Sequence, residues 1–245
     1  MEAAGVASTI GYFNADDDLP ETVQRESCSA IDAIAELGMS GYASIKVPSL
    51  AYSMDRVRAI ADRARRYGQL LHFDSHGPQT ADPTLAVLGS LLPYYPKLGL
   101  TIPGRWLRSP DDADWATERN IRVRVVKGQW ECSVRPDIDP REGFLAVIDR
   151  LAGRAAEVAI ATHDAPLAHA AIGRLMKTGT ACELELLSGL PRREVMTVAR
   201  EFGIPVRLYI PFGNAWLPYA LGQVLRKPRM WGWMIRDVMS AVIAH

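Results

Sequence analysis

Residues 122–133, RVRVVKGQWECS, join a buried strand to a positively charged turn. Val123, Val125 and Val126 are β-branched, and such side chains suit a pleated, half-buried surface. Lys127-Gly128 then breaks the run, leaving a cation and a flexible backbone at the strand's carboxyl end. In a closed parallel barrel that is the end where chemistry is done.

Seven further apolar runs share this character, so the predicted strands are Val6–Tyr12, Tyr42–Val47, Leu70–Asp74, Gly99–Pro103, Ile121–Val126, Glu157–Thr162, Thr180–Leu184 and Val206–Ile210. Between them the apolar residues recur at helical spacing. In Met54–Tyr67, Val57, Ile60, Ala61 and Ala64 lie on one side, with Arg56, Arg58, Asp62, Arg63 and Arg65 on the rest. Pro140–Gly153, His169–Thr178 and Arg192–Phe202 read the same way, and Gly68, Gly179 and Gly203 fall just past helix ends. Strands alternating with helices predict parallel pairing, and eight units predict a single-domain (β/α)8 barrel over residues 1–245. Periodicity does not show closure, so an open doubly wound sheet also fits. No GxGxxG or P-loop follows any strand, which disfavours a Rossmann dinucleotide site and a Walker ATPase.

The 245 residues carry 28 Lys+Arg and 28 Asp+Glu, so no basic field exists to attract nucleic acid. Hydrophobic residues at 48% fit a globular protein with a sizeable core. Cys28, Cys132 and Cys182 have neither disulfide-framework nor zinc spacing, so they read as small buried thiols, and no metal ligand set is predicted. There is no leader pattern and no run near the roughly 20 apolar residues of a membrane helix, so a cytoplasmic location is expected. Asp16-Asp17-Asp18 reads as a solvated loop.

Three segments together resemble the proline dehydrogenase family: Arg124 to Trp130, Ala161-Thr162-His163-Asp164, and Val206 to Gly213. The family's strings run approximately R-L-V-K-G-A-Y, A-T-H-N and V-R-x-Y-x-P-x-G. The likeness extends from Ser8-Thr9-Ile10-Gly11-Tyr12 to the last helical segment. It implies a (β/α)8 barrel and an FAD-dependent dehydrogenase that removes hydride from the carbon next to an amine nitrogen.

By this resemblance Arg124 points to the barrel mouth and stabilises negative charge on the reduced flavin. Val126, Lys127, Gly128 and Trp130 line the cofactor, and Thr162 and His163 hydrogen-bond its ribityl or pyrophosphate oxygens. Asp164 takes the place of an Asn, which exchanges a donor for an acceptor and repels a phosphate. In Cys182 to Gly189, similar to F-E-F-Q-x-L-x-G, Glu185 and Leu187 face the cofactor. Glu185 would also need a cation such as Lys46 or Arg207. Lys46, Asp74, Tyr209 and Tyr219 line the substrate space. Lys46, Asp74 and Glu185 serve equally well as members of a structural ion-pair network.

Two departures bear on function. Pro103 stands where the family's Gln contacts the flavin, and proline has no donor to offer. The family's Y-x-x-R-R, whose arginine pair grips the carboxylate, here reads Tyr219 followed by Gly222-Gln223, with Arg226 one turn further on. Three readings follow: oxidation of proline, oxidation of another amine (a specialised metabolite or a carrier-bound prolyl group), or a barrel that has lost FAD. The expected partners are a small-molecule amine, free or carrier-bound, and an electron acceptor that the sequence does not identify. No nucleic acid, no metal and no membrane contact beyond a transient one with a quinone pool are expected.

Overall fold

The computed structural model describes residues 7–213 and 215. Its strands are β1 (Ala7–Tyr12), β2 (Gly41–Ile45), β3 (Leu71–Phe73), β4 (Leu98–Pro103), β5 (Arg122–Val126), β6 (Glu157–Ala161), β7 (Ala181–Leu187) and β8 (Val206–Phe212). All pair in parallel and in sequence order, and β8 returns to β1 with Ile210 opposite Ile10, so the barrel is closed and the open sheet is excluded. Seven helices separate the strands: α1 (Pro20–Glu36), α2 (Met54–Tyr67), α3 (Ala81–Leu91), α4 (Ser109–Glu118), α5 (Pro140–Leu151), α6 (Ala165–Lys177) and α7 (Arg193–Phe202).

The apolar core lies between strands and helices. Val57, Ile60, Ala61 and Ala64 of α2 are fully buried, as their spacing predicts, and Ser53 and the left-handed Gly68 cap the helix. On β5, Val123 and Val125 pack outward while Arg122 and Arg124 turn into the barrel. Leu184 and Leu186 of β7 likewise face the helices, and Glu183 and Glu185 face inward. The barrel interior is therefore ionic rather than filled with branched apolar side chains.

Two strand ends correct the sequence reading. β7 runs on to Leu187 and β8 to Phe212, beyond the predicted Leu184 and Ile210. The inward charges interrupt the apolar runs without interrupting the strands. In the acidic loop Asp16 and Asp17 are exposed, but Asp18 accepts hydrogen bonds from the Tyr12 hydroxyl (2.8 Å) and the Ala15 N–H (2.9 Å). Among the described residues no helix is long and apolar enough to cross a membrane, and no His/Cys/Asp/Glu group suits a metal ion.

Candidate active site

The barrel interior holds two tiers of paired charges. In the lower tier Arg122 donates to Glu157 (3.0 Å), the Tyr42 hydroxyl (2.7 Å) and Glu183. Arg207 donates to the same Glu183 oxygen at 2.6 Å and to the Ser8 carbonyl at 3.0 Å. Its guanidinium lies 4.4 Å from the Tyr42 ring centroid, on the ring face, where the negative side of the quadrupole attracts it.

The upper tier is centred on Arg124, which is 2% exposed. Its Nε and Nη2 grip Glu185 at 2.8 and 2.7 Å, a bidentate pair, and Nη1 donates to Asp74 Oδ1 at 2.6 Å. Burial opposes its charge, but Glu185, Tyr42 and Asp74 outweigh that and hold the guanidinium well above its ordinary range. Thr9 donates to Glu185 at 2.7 Å. Tyr209 donates to Asp74 Oδ2 at 2.8 Å, and burial together with Asp74 pushes its phenol well above the usual value, so it remains a donor. Gly11 makes this possible, since a Cβ there would lie 2.0 Å from the Tyr209 hydroxyl. Lys46 follows β2, donates to the Tyr12 carbonyl at 3.2 Å and sits 4.1 Å above the Phe13 ring centroid. Burial lowers its ammonium's pKa, partly offset by Asp74.

Around the rim, the loops after β5, β6 and β7 are tied together. Gly128 has φ +93, a left-handed backbone that glycine adopts without penalty. The Trp130 ring lies 4.6 Å from the His76 ring, and Val126 and Leu187, at the ends of β5 and β7, are half-buried. Asp164 caps α6 by accepting from the Leu167 N–H at 3.1 Å, while its other oxygen takes Lys127 (3.4 Å) and Arg141. His163 Nε2 accepts from the Leu187 N–H at 3.0 Å, so the proton is on Nδ1, 2.8 Å from the Pro191 carbonyl. The imidazole is a neutral pin between the ends of β6 and β7.

Lys46, Asp74, Arg124, Glu185 and Tyr209 thus converge within or just above the upper tier, and Val126, Lys127, Gly128, Trp130, Thr162, His163, Asp164 and Leu187 form the rim. Four expectations need correction. Arg124 lies inside the barrel instead of pointing out of its mouth, because two carboxylates hold it there. Glu185 pairs with Arg124 and not with Lys46 or Arg207, since Arg207 faces Glu183. His163 engages both ring nitrogens with the main chain of this protein, while the Thr162 hydroxyl accepts from the Asp164 N–H at 3.2 Å. Asp164, expected to present a bare negative charge, caps a helix and holds two cations. Tyr219, Gly222, Gln223 and Arg226 lie outside the described residues.

Sequence reading missed Thr9, Tyr42, His72, Thr101, Arg122 and Glu183. The signal for two of them was present: Arg122-Val123-Arg124, Glu183-Leu184-Glu185 and Arg207-Leu208-Tyr209 put charges or phenol at period two, one face of a strand. His72 is fully buried, and burial plus Arg124, Arg122 and Arg207 push its imidazole well below the ordinary value. The folded chain refuses a proton that the unfolded chain accepts below about pH 6.5. Stability should therefore fall with pH below that point, by about 1.4 kcal/mol per unit from His72, with half-buried His76 acting in the same sense. Urea unfolding between neutral and mildly acid pH checks this; in His72→Leu the slope should shrink.

No family profile matches the chain. It is 22% identical over 258 residues to proline dehydrogenase 1 of Bacillus subtilis (strain 168), covering 98% of this chain and 84% of that protein. It is 23% identical over 263 residues to the proline dehydrogenase of Deinococcus radiodurans, again covering 98% of this chain and 84% of the relative. Among solved structures, proline utilization A from Bdellovibrio bacteriovorus, inactivated by N-propargylglycine, superposes with a TM-score of 0.74 at 15% identity. That match covers 85% of this chain, which spans only 28% of the larger protein's length. The chain is thus similar to bacterial proline dehydrogenases along nearly its whole length, and its barrel has the same build as that of proline utilization A.

Proposed function

We propose that this protein is an FAD-dependent dehydrogenase that oxidises proline, or a proline-like amine, at the carbon next to nitrogen. The observation that carries the reading is the Arg124–Asp74–Tyr209 cluster at the carboxyl end of the barrel, with Glu185 beneath and Lys46 beside it. The bacterial relatives' names support it.

The rim's donor set fits a flavin. Lys127, with its side chain 35% exposed, supplies a cation, and Gly128 brings main chain close without a side chain. Trp130 offers an aromatic plane, and Val126 and Leu187 offer apolar edges. When bound, the flavin supplies the hydride acceptor. Arg124, charged and buried, sets a fixed positive potential under the mouth. Asp74 has both oxygens engaged, by Arg124 and Thr101 on Oδ1 and by Tyr209 on Oδ2, so its carboxylate is held in one orientation. Tyr209 keeps its proton on the hydroxyl that faces Asp74. Lys46, next to Phe13, places an amine at the edge of the same space for the substrate's polar end. The electron acceptor is a separate partner, for which a quinone is one chemistry among several.

A second reading rests on Gly222-Gln223, which bring no arginine pair to a free carboxylate. On that reading the substrate is a neutral or carrier-linked analogue of proline.

Purified protein incubated with FAD and desalted should retain a flavin absorption spectrum that bleaches when proline or a proline ester is added without oxygen. A colourless protein whose melting temperature ignores FAD would overturn the flavoenzyme reading and favour a barrel without cofactor.

A further inference from the structure

We propose that His72 is a positioning residue: it orients the Thr101 hydroxyl so that this hydroxyl donates to Asp74. The inference deepens the reading above, because Asp74 matters as part of that site.

His72 lies on β3, facing inward, with no exposed surface. Its Nε2 is 2.8 Å from Thr101 Oγ1, and Nδ1 is buried with no hydrogen-bond partner among the described residues. Thr101 Oγ1 is also 3.1 Å from Asp74 Oδ1 and 3.3 Å from Arg124 Nη1, which is a donor. The single hydroxyl proton therefore has two destinations. If it points at His72, the imidazole must carry its proton on Nδ1, a buried N–H with nothing to accept it. If it points at Asp74, the imidazole proton is on Nε2 and donates to Thr101, and Nδ1 keeps only a lone pair. A buried orphan donor is the worse of the two, and the second arrangement gives Asp74 one more donor.

Protonation of both nitrogens would break this order. Burial and the guanidiniums of Arg124, Arg122 and Arg207 hold the ring neutral, and Tyr42 stacks beside it at 5.8 Å between centroids. Room for the ring comes from Gly99, where a Cβ would lie 2.3 Å from Nδ1. Donors thus run from His72 to Thr101 to Asp74, and Tyr209 donates from the other side. His72 reaches the site only through Thr101, so its loss should act through Thr101 alone.

The first test needs no turnover. In the ¹⁵N-histidine-labelled protein, His72 should appear as the neutral Nε2–H tautomer from about pH 5.5 to about pH 8.5. In the ¹³C-aspartate-labelled protein, the Asp74 carboxyl resonance, assigned with Asp74→Asn, should move in His72→Leu and return in His72→Gln, whose amide still donates. An Nδ1–H tautomer, an imidazolium, or an unmoved Asp74 signal overturns the proposal whether or not the protein is an oxidase of amines. The second test uses the FAD-loaded protein with an artificial electron acceptor and, in turn, proline and L-proline methyl ester, each variant being compared on the better of the two substrates. His72→Leu and Thr101→Val should each lower kcat by about 10-fold with little change in KM, since misplacing a group costs rate. The double variant should be no slower than Thr101→Val, and His72→Gln should recover most of the activity. Losses that multiply in the double variant would mean His72 acts elsewhere and overturn the proposal. Absence of turnover in every form, with both NMR results as expected, would remove the amine-oxidation reading and leave the hydrogen-bond order standing.

Discussion

Arg124→Met should destabilise the fold by about 3–5 kcal/mol, the usual cost of removing one partner from a buried ion pair. The size follows from what is left behind. Glu185 is 2% exposed and among the described residues would keep only Thr9 as a hydrogen-bond donor, while Asp74 would keep Thr101 and Tyr209. Three guanidiniums inside the barrel, Arg122, Arg124 and Arg207, are matched by Glu183, Glu185 and Asp74, so deletion of one leaves a net negative interior. Urea unfolding at neutral pH measures the loss. Adding Glu185→Gln to Arg124→Met should return part of it, because the most deeply buried uncompensated charge is then gone. Destabilisation near zero in Arg124→Met would show that water or a shifted cation replaces the guanidinium. The site's electrostatics and the barrel's stability rest on the same residue, so a loss of activity in this variant does not by itself establish a role beside the flavin. Tyr209→Phe, which removes one oxygen and leaves every charge paired, is the cleaner probe of chemistry.

The legible parts of this chain are those where one physical rule acts alone. The α2 stretch is governed by burial of one face, and its four apolar residues, its Ser53 cap and its Gly68 stop all agree. The strands were legible as β-branched runs, and eight of them with helices between gave the barrel. Their ends in β7 and β8 were hidden because Glu183, Glu185, Arg207 and Tyr209 face a polar interior, against the rule that buried strands are apolar. At Thr162-His163-Asp164-Ala165-Pro166 the resemblance pointed to cofactor contacts, yet Asp followed by Pro at the second helical position is also a helix start, and the fold uses it so. The partners of His163 lie 24 and 28 residues away, at Leu187 and Pro191, and no local pattern announces them. The same holds for Arg124, whose Glu185 is 61 residues distant. Long-range charge pairing decides most of this site, and a single sequence carries almost no record of who pairs with whom.

Free L-proline should be a poorer substrate than its neutral analogues. A carboxylate entering a partly desolvated barrel mouth needs a counter-charge, and leaving it unpaired costs several kcal/mol, on the order of 3 or more. Among the described residues near the upper tier, Arg124 is already bound to two carboxylates, and Arg141 and Lys127 share Asp164. That leaves Lys46, whose ammonium burial disfavours, as the cation closest in kind to the task. Gly222 and Gln223 offer none. An ester, amide or carrier-linked prolyl group brings no charge to neutralise and should lose far less, so kcat/KM for L-proline methyl ester should exceed that for proline by about 10-fold or more, one decade for each 1.4 kcal/mol of unpaired charge. The double change Gly222→Arg with Gln223→Arg should reverse the preference, because a guanidinium pair can bind the carboxylate in bidentate fashion and has nothing equivalent to gain from the ester. Lys46→Met should weaken whatever activity free proline has and leave the ester's largely intact. Steady-state kinetics on both substrates, for the three proteins, decides between the readings. If unaltered protein turns over free proline at least as efficiently as every neutral analogue, and Lys46→Met leaves that ratio unchanged, then a cation outside the described residues, with Arg226 the first to test, completes the carboxylate site.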